Sequence, residues 1–330
     1  MNRTLFIRLL QQSVLCLVLP VLAIVAASAC EADPLKAEAR GVYYLTPVEG
    51  VRRTNLASLD AWDNPSVVGV AIRVAWSELQ RSPDQFDWSY LDEAIRIAGT
   101  EKKFVAISVI AGIYSPNWVL GSVSLLQLTG RDAKRSRTAP APWDQKYLGA
   151  WKTFVEAFGA RYDGNPAIGY VTATGPGRAE EGYVVDDPQD AAQFDTNKWV
   201  AAAREIVGYY NAAFKTTPWV LAWGKPSLRL NQLMADIYDV PGNFGFKADS
   251  LSRFFPNTSV QEGQISLKMS KTRPVVFQGL RPVKDPNELA AVLANGQTMG
   301  MQAFECYQGD ARNPAGQEVL ARANQAMRAH

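Results

Sequence analysis

The stretch Val67-Val-Gly-Val-Ala-Ile-Arg-Val74 is apolar on both of its alternating faces and is broken only by Arg73. A strand of that pattern is covered on both sides, the condition of a parallel sheet flanked by helices. Seven more short runs share its character: Gly41–Leu45, Phe104–Ile110, Ile168–Thr174, Trp219–Ala222, Asn243–Phe246, Pro274–Phe277 and Met301–Phe304. Helical stripes lie between most of them. Leu91, Ile95 and Ala98 follow a capping residue, Asp87. Tyr147, Trp151, Phe154, Val155 and Phe158 form a second stripe, and Trp199, Ala202, Ile206 and Tyr210 a third. Leu289, Val292 and Leu293 follow Asp285-Pro286. The connection between the sixth and seventh runs has the weakest helical pattern. Eight β-α units in about 290 residues predict one (β/α)8 TIM barrel over residues 40–330. A doubly wound open sheet is the alternative. It lacks support because no G-x-G-x-x-G opens a helix after the first strand.

Of 330 residues, one is histidine, and it is the last, His330. Chain ends fray, so histidine-based triads, zinc sites and haem ligation have no residue to draw on. Acid–base chemistry, if present, falls to carboxylates. The charge balance is 34 Lys+Arg against 32 Asp+Glu. Removal of a leader carrying Arg3 and Arg8 would leave the two equal, a poor composition for a nucleic-acid partner.

That leader is expected over residues 1–29. Two arginines precede an apolar run from Val14 to Ala27, and no acid occurs before Glu31. Its end, Ala27-Ser28-Ala29-Cys30, resembles a bacterial lipobox, although Ala27 stands where a larger aliphatic is usual. Lipidation of Cys30 is favoured over simple cleavage, with residues 30–39 as a short tether. The expected location is therefore exported, as a periplasmic or cell-surface lipoprotein, otherwise secreted. The membrane would be met only through that anchor. With Cys16 in the leader and Cys30 lipidated, Cys306 is left alone and no disulfide framework is expected.

In such a barrel the chemistry sits at the C-terminal ends of the strands. The fourth strand runs into Thr174-Gly-Pro-Gly-Arg-Ala-Glu-Glu-Gly-Tyr183, a glycine-rich turn that delivers Glu180 and Glu181. No Gly-Lys-Ser/Thr follows, so a phosphate cradle is set aside. The eighth strand ends with Glu305, a carboxylate too costly to bury without a partner. Arg73 is a candidate for that partner, and a purely structural pair is the competing reading. Aromatics crowd the same ends: Trp76, Tyr114, Trp118, Tyr183, Trp223 and Tyr307. Flat rings beside hydrogen-bonding carboxylates suit sugars, whose faces are apolar and whose rims are polar. Two carboxylates without histidine suit glycoside hydrolysis, one as acid and one as nucleophile or base. No cofactor or resident metal is expected. A Mg²⁺ site on Asp249 or Asp310 is the least supported alternative.

Several segments, taken in order, resemble the β-galactosidase-like barrels of the large retaining glycosidase clan. They are Arg73-Val-Ala-Trp76-Ser-Glu-Leu, Phe86-Asp-Trp-Ser-Tyr-Leu-Asp92, Val105 to Trp118, Trp143-Asp-Gln-Lys-Tyr and Arg161-Tyr-Asp-Gly-Asn-Pro166. The resemblance covers roughly residues 40–185 well and the rest loosely. It implies that Glu181 is the acid/base, with Glu180 less favoured, and that Arg73 orients the nucleophile. It also implies a glutamate at the end of the seventh strand, where this chain has Gln278. An amide cannot be a covalent nucleophile. Either Glu305 plays that part, or Glu305 serves as base in an inverting reaction, or the barrel binds carbohydrate without cleaving it. A Glu305 sealed beneath the barrel mouth would favour the last.

Overall fold

In the computed structural model, residues 35–46, 55–128, 136–177, 195–223, 236–240 and 242–329 are described. Eight parallel strands close into a barrel in sequence order: β1 Gly41–Leu45, β2 Gly69–Ala75, β3 Phe104–Ile110, β4 Ile168–Ala173, β5 Trp219–Trp223, β6 Phe244–Leu251, β7 Val275–Gly279 and β8 Ala303–Cys306. The longer helices are α1 Ser89–Thr100, α2 Gln145–Tyr162, α3 Thr196–Ala213, α4 Gln261–Met269, α5 Pro286–Thr298 and α6 Pro314–Ala329. The predicted (β/α)8 architecture is the observed one. Closure comes from β1 pairing with both β2 and β8, with Tyr43 opposite Gly69 on one side and Glu305 on the other.

The helices start where polar caps demand it. Asp144 accepts the Lys146 and Tyr147 amides, Asp195 those of Asn197 and Lys198, and Asp285 that of Asn287 behind Pro286. Asp87 accepts the Ser89 amide just ahead of α1. The predicted stripes of α2, α3 and α5 are all buried against the strands. The connection with the weakest pattern carries α4.

Most strand boundaries move by no more than two residues, and two segments depart further from the sequence reading. The sixth strand extends past Phe246 to Leu251. Lys247 and Asp249 ended the apolar run in the sequence, yet the strand continues because polar residues are tolerated on its barrel-facing side. The predicted tether also does not hang free along its whole length. Leu35 is buried with Tyr43 and Val68 in the barrel interior, its amide donating to Gln302 Oε1 at 3.0 Å, while Arg40 Nε donates to Leu35 O at 2.8 Å. The segment from Leu35 on therefore plugs the N-terminal end of the barrel.

The interior is graded. Near the floor, Tyr43 and Tyr170 meet edge to face, 5.2 Å between ring centres. Glycines make room for them. A Cβ on Gly69 would strike Phe104 O and the Tyr43 ring, and one on Gly169 the Tyr43 hydroxyl. Above the tyrosines the lining turns polar, and the candidate site begins.

Candidate functional site

Glu305 of β8 lies at the centre. Its Oε1 accepts from Lys247 Nζ of β6 at 2.8 Å and from the Tyr170 hydroxyl of β4 at 2.7 Å. Lys247 Nζ also stands 3.5 Å from Thr172 Oγ1. Relative exposure is 0 % for Lys247 and 1 % for Glu305. Charges this deep persist only when paired, and three strands supply the partners. Sequence reading offered Arg73 as a candidate partner of Glu305; the ion pair described here is with Lys247, which lay beyond the predicted end of the sixth strand.

One layer nearer the mouth, Arg73 Nη2 donates to Thr46 O at 2.7 Å, and the Arg73 amide donates to Thr46 Oγ1 at 3.1 Å. Those bonds anchor the guanidinium to the end of β1. Gln278, level with Glu305 in the β7–β8 register, donates through Nε2 to the Tyr307 hydroxyl at 3.3 Å. Burial raises the Tyr307 hydroxyl above its usual range. Gln278 and Arg73 pull it back, while Asp249 and Glu305 push it further up. Arg73, Gln278 and Tyr307 form the polar ring of the mouth.

The end of β4 is strapped down. Gly175 takes φ +132°, a conformation suited to glycine, and a Cβ there would meet Trp151 Nε1 at 2.6 Å. Trp151 Nε1 donates to Thr174 O, Tyr147 to Gly175 O and Trp199 Nε1 to Pro176 O. Glu180, Glu181 and Tyr183 follow in the sequence and lie outside the described residues, as does Cys30.

The aromatic expectations divide. Tyr114 is partly exposed and packs against Ala75 and Ile110 at the upper rim of the interior, and Tyr307 lines the mouth. Trp118 is partly buried and meets the Trp76 ring edge to face at 6.1 Å. Trp76 and Trp223 require correction. Trp76 is fully buried, its Nε1 donating to Gln80 Oε1 at 2.7 Å and its ring packed on Tyr147, Trp151 and Phe154 of α2. Trp223 is 1 % exposed and packs on Tyr238 and Phe246. Both point from their strands into the helix layer, so neither ring is offered to a ligand. The metal alternative gains no geometry, since among the described residues no group of three His, Cys, Asp or Glu could hold an ion. Asp310 instead accepts the Val283 amide at 2.7 Å.

No family model matches this sequence, and no curated protein matches it. Solved structures do. The catalytic domain of β-amylase from Paenibacillus polymyxa superposes with TM-score 0.53 at 11 % identity, over 84 % of this chain and 94 % of that one. Native xylanase 10B from Thermotoga maritima gives 0.54 at 7 %, over 88 % and 96 %. The fold shared with them is the (β/α)8 barrel. A β-galactosidase from Halorubrum lacusprofundi also matches, with TM-score 0.54 at 13 % identity, over 86 % of this chain and 57 % of that one. At these identities the likeness is one of fold, and the chemistry rests on the residues.

Proposed function

We propose that this chain is an exported carbohydrate-active barrel whose mouth serves glycoside hydrolysis. The observation that supports it best is the polar ring of Arg73, Gln278 and Tyr307 set over an ion-paired carboxylate, at the strand ends where such barrels place chemistry. A fold shared with a β-amylase, a xylanase and a β-galactosidase is consistent with it. In this reading Glu181, six residues after Gly175 in the sequence, donates a proton to the leaving oxygen. Glu305, sealed in the interior and engaged by Lys247 and the Tyr170 hydroxyl, is not placed to reach that oxygen. Export follows the leader and Ala27-Ser28-Ala29-Cys30, with lipid on Cys30 holding the barrel at the membrane surface.

One observation favours a second reading. Glu305 is closed off, and Gln278 stands at the position where the resemblance implies a nucleophile. A barrel with neither carboxylate available would bind carbohydrate without cleaving it. A panel of aryl glycosides and of xylo-, malto- and galacto-oligosaccharides, incubated with the wild type and with Glu181→Gln, separates the two. Hydrolysis that disappears in the variant supports the first reading. Binding by calorimetry with no product released supports the second. Neither binding nor hydrolysis across the panel would overturn both.

A further inference from the structure

We infer that Asp249 of β6, and not Glu305, is the carboxylate this barrel presents to a bound sugar. The inference rests on the carbohydrate reading above and names the group that meets the ligand. Along β6, Lys247 points inward to Glu305. Ala248 packs in the core between strands and helices, and Ser250 Oγ bonds to Glu262 Oε1 of α4 at 3.2 Å, so both face outward. Asp249 lies between those two outward residues and on the same side as Lys247. It stands one two-residue step, about 7 Å, nearer the C-terminal end. Ala248, Ser250 and Leu251 are buried around it, whereas Asp249 is partly exposed.

Two more observations agree. The β6–β7 register breaks at this point, Ala248 pairing with Phe277 and Leu251 with Gly279, which leaves one extra residue on β6. Bulges of this kind re-aim a side chain and are enriched beside active sites. The charge of Asp249, which reaches Glu262 and Tyr238 on the outer side, also acts on the Tyr307 hydroxyl, itself bonded to Gln278 and packed in the barrel interior. Asp249 therefore shares the mouth with Arg73, Gln278 and Tyr307, two residues beyond Lys247 on β6. It supplies an accessible carboxylate that the seventh and eighth strands do not.

The test labels carboxylates on the full-length processed protein with a water-soluble carbodiimide and glycine ethyl ester, followed by peptide mapping, with and without the oligosaccharide panel. Asp249 is expected to react at least about tenfold faster than Glu305 and to be protected by an oligosaccharide that the protein binds. Asp249→Asn is expected to weaken binding or hydrolysis of that same oligosaccharide at least about tenfold with the thermal midpoint little changed. An unreactive Asp249, or a Glu305 that reacts as fast, would overturn the assignment on geometry. A reactive Asp249 that no oligosaccharide protects would overturn it through the carbohydrate reading instead, so the two failures are distinguishable.

Discussion

Lys247 Nζ stands 2.8 Å from Glu305 Oε1, across the barrel interior, with both side chains shut away from water. The pair joins β6 to β8, and the Tyr170 hydroxyl adds β4 to the same oxygen. Breaking one half leaves a buried charge unpaired, which costs about 3–5 kcal/mol. Lys247→Met is therefore expected to lower unfolding free energy by that order in urea titration. The double variant Lys247→Met/Glu305→Gln should recover a large part of the loss, because it removes both charges. A Lys247→Met protein within about 1 kcal/mol of wild type would show that the pair is not held as described.

The aromatics separate by role. Trp76 fills the wall between β2 and α2, so Trp76→Ala is expected to cost about 3–5 kcal/mol of stability. Tyr114 sits partly exposed at the rim. Tyr114→Ala should leave the urea midpoint nearly unchanged while weakening oligosaccharide binding measured by calorimetry. The opposite pattern, a stable Trp76→Ala with impaired binding, would put Trp76 back at the mouth.

What was legible in the sequence follows from what apolar patterning records. Strands β1 and β3 began and ended where their runs did, and the α2 and α3 stripes are buried as read. Burial on both faces leaves a continuous apolar mark. The inner side of β6 leaves none, because Lys247 meets Glu305 only once the eight strands close. Glu305 was legible as a costly carboxylate in an apolar strand, but its partner lay 58 residues away. Trp76 and Trp223 were misplaced for a related reason. A residue at a strand end can face the mouth or the helices, and a single extra residue decides which.

Glu262 of α4 gives a pH-dependent signature. Burial, offset by the Ser250 hydrogen bond and reinforced by the Asp249 charge, pushes its carboxyl up to about 8. In the unfolded chain it returns to the ordinary range near 4.5. Between those values the folded state holds a proton that the unfolded state has released. Stability therefore falls as pH rises from about 4.5 to about 8 and levels above that, with a slope of up to about 1.4 kcal/mol per pH unit. Glu262→Gln keeps the shape and removes the titration. Urea titrations of the variant at several pH values should show a flatter profile in that window, most clearly midway between those two values. An unchanged profile would mean that Glu262 is ionised in the fold.

Gln278 decides between a lost nucleophile and a different site. If the barrel once used a seventh-strand glutamate, Gln278→Glu should restore it, and hydrolysis of an aryl glycoside should rise. The geometry points the other way. The Gln278 amide donates to the Tyr307 oxygen, and a carboxylate there would lose that donor. It would also add negative charge to a ring already shared by Asp249 and Glu305, both of which act on Tyr307. Gln278→Glu is therefore expected to give no gain in turnover and to push the Tyr307 hydroxyl further up, readable by ultraviolet tyrosine titration. A gain of about tenfold or more, equivalent to about 1.4 kcal/mol off the barrier, would identify position 278 as a vacated nucleophile site. Asp249 would then give way to it as the carboxylate that meets the sugar.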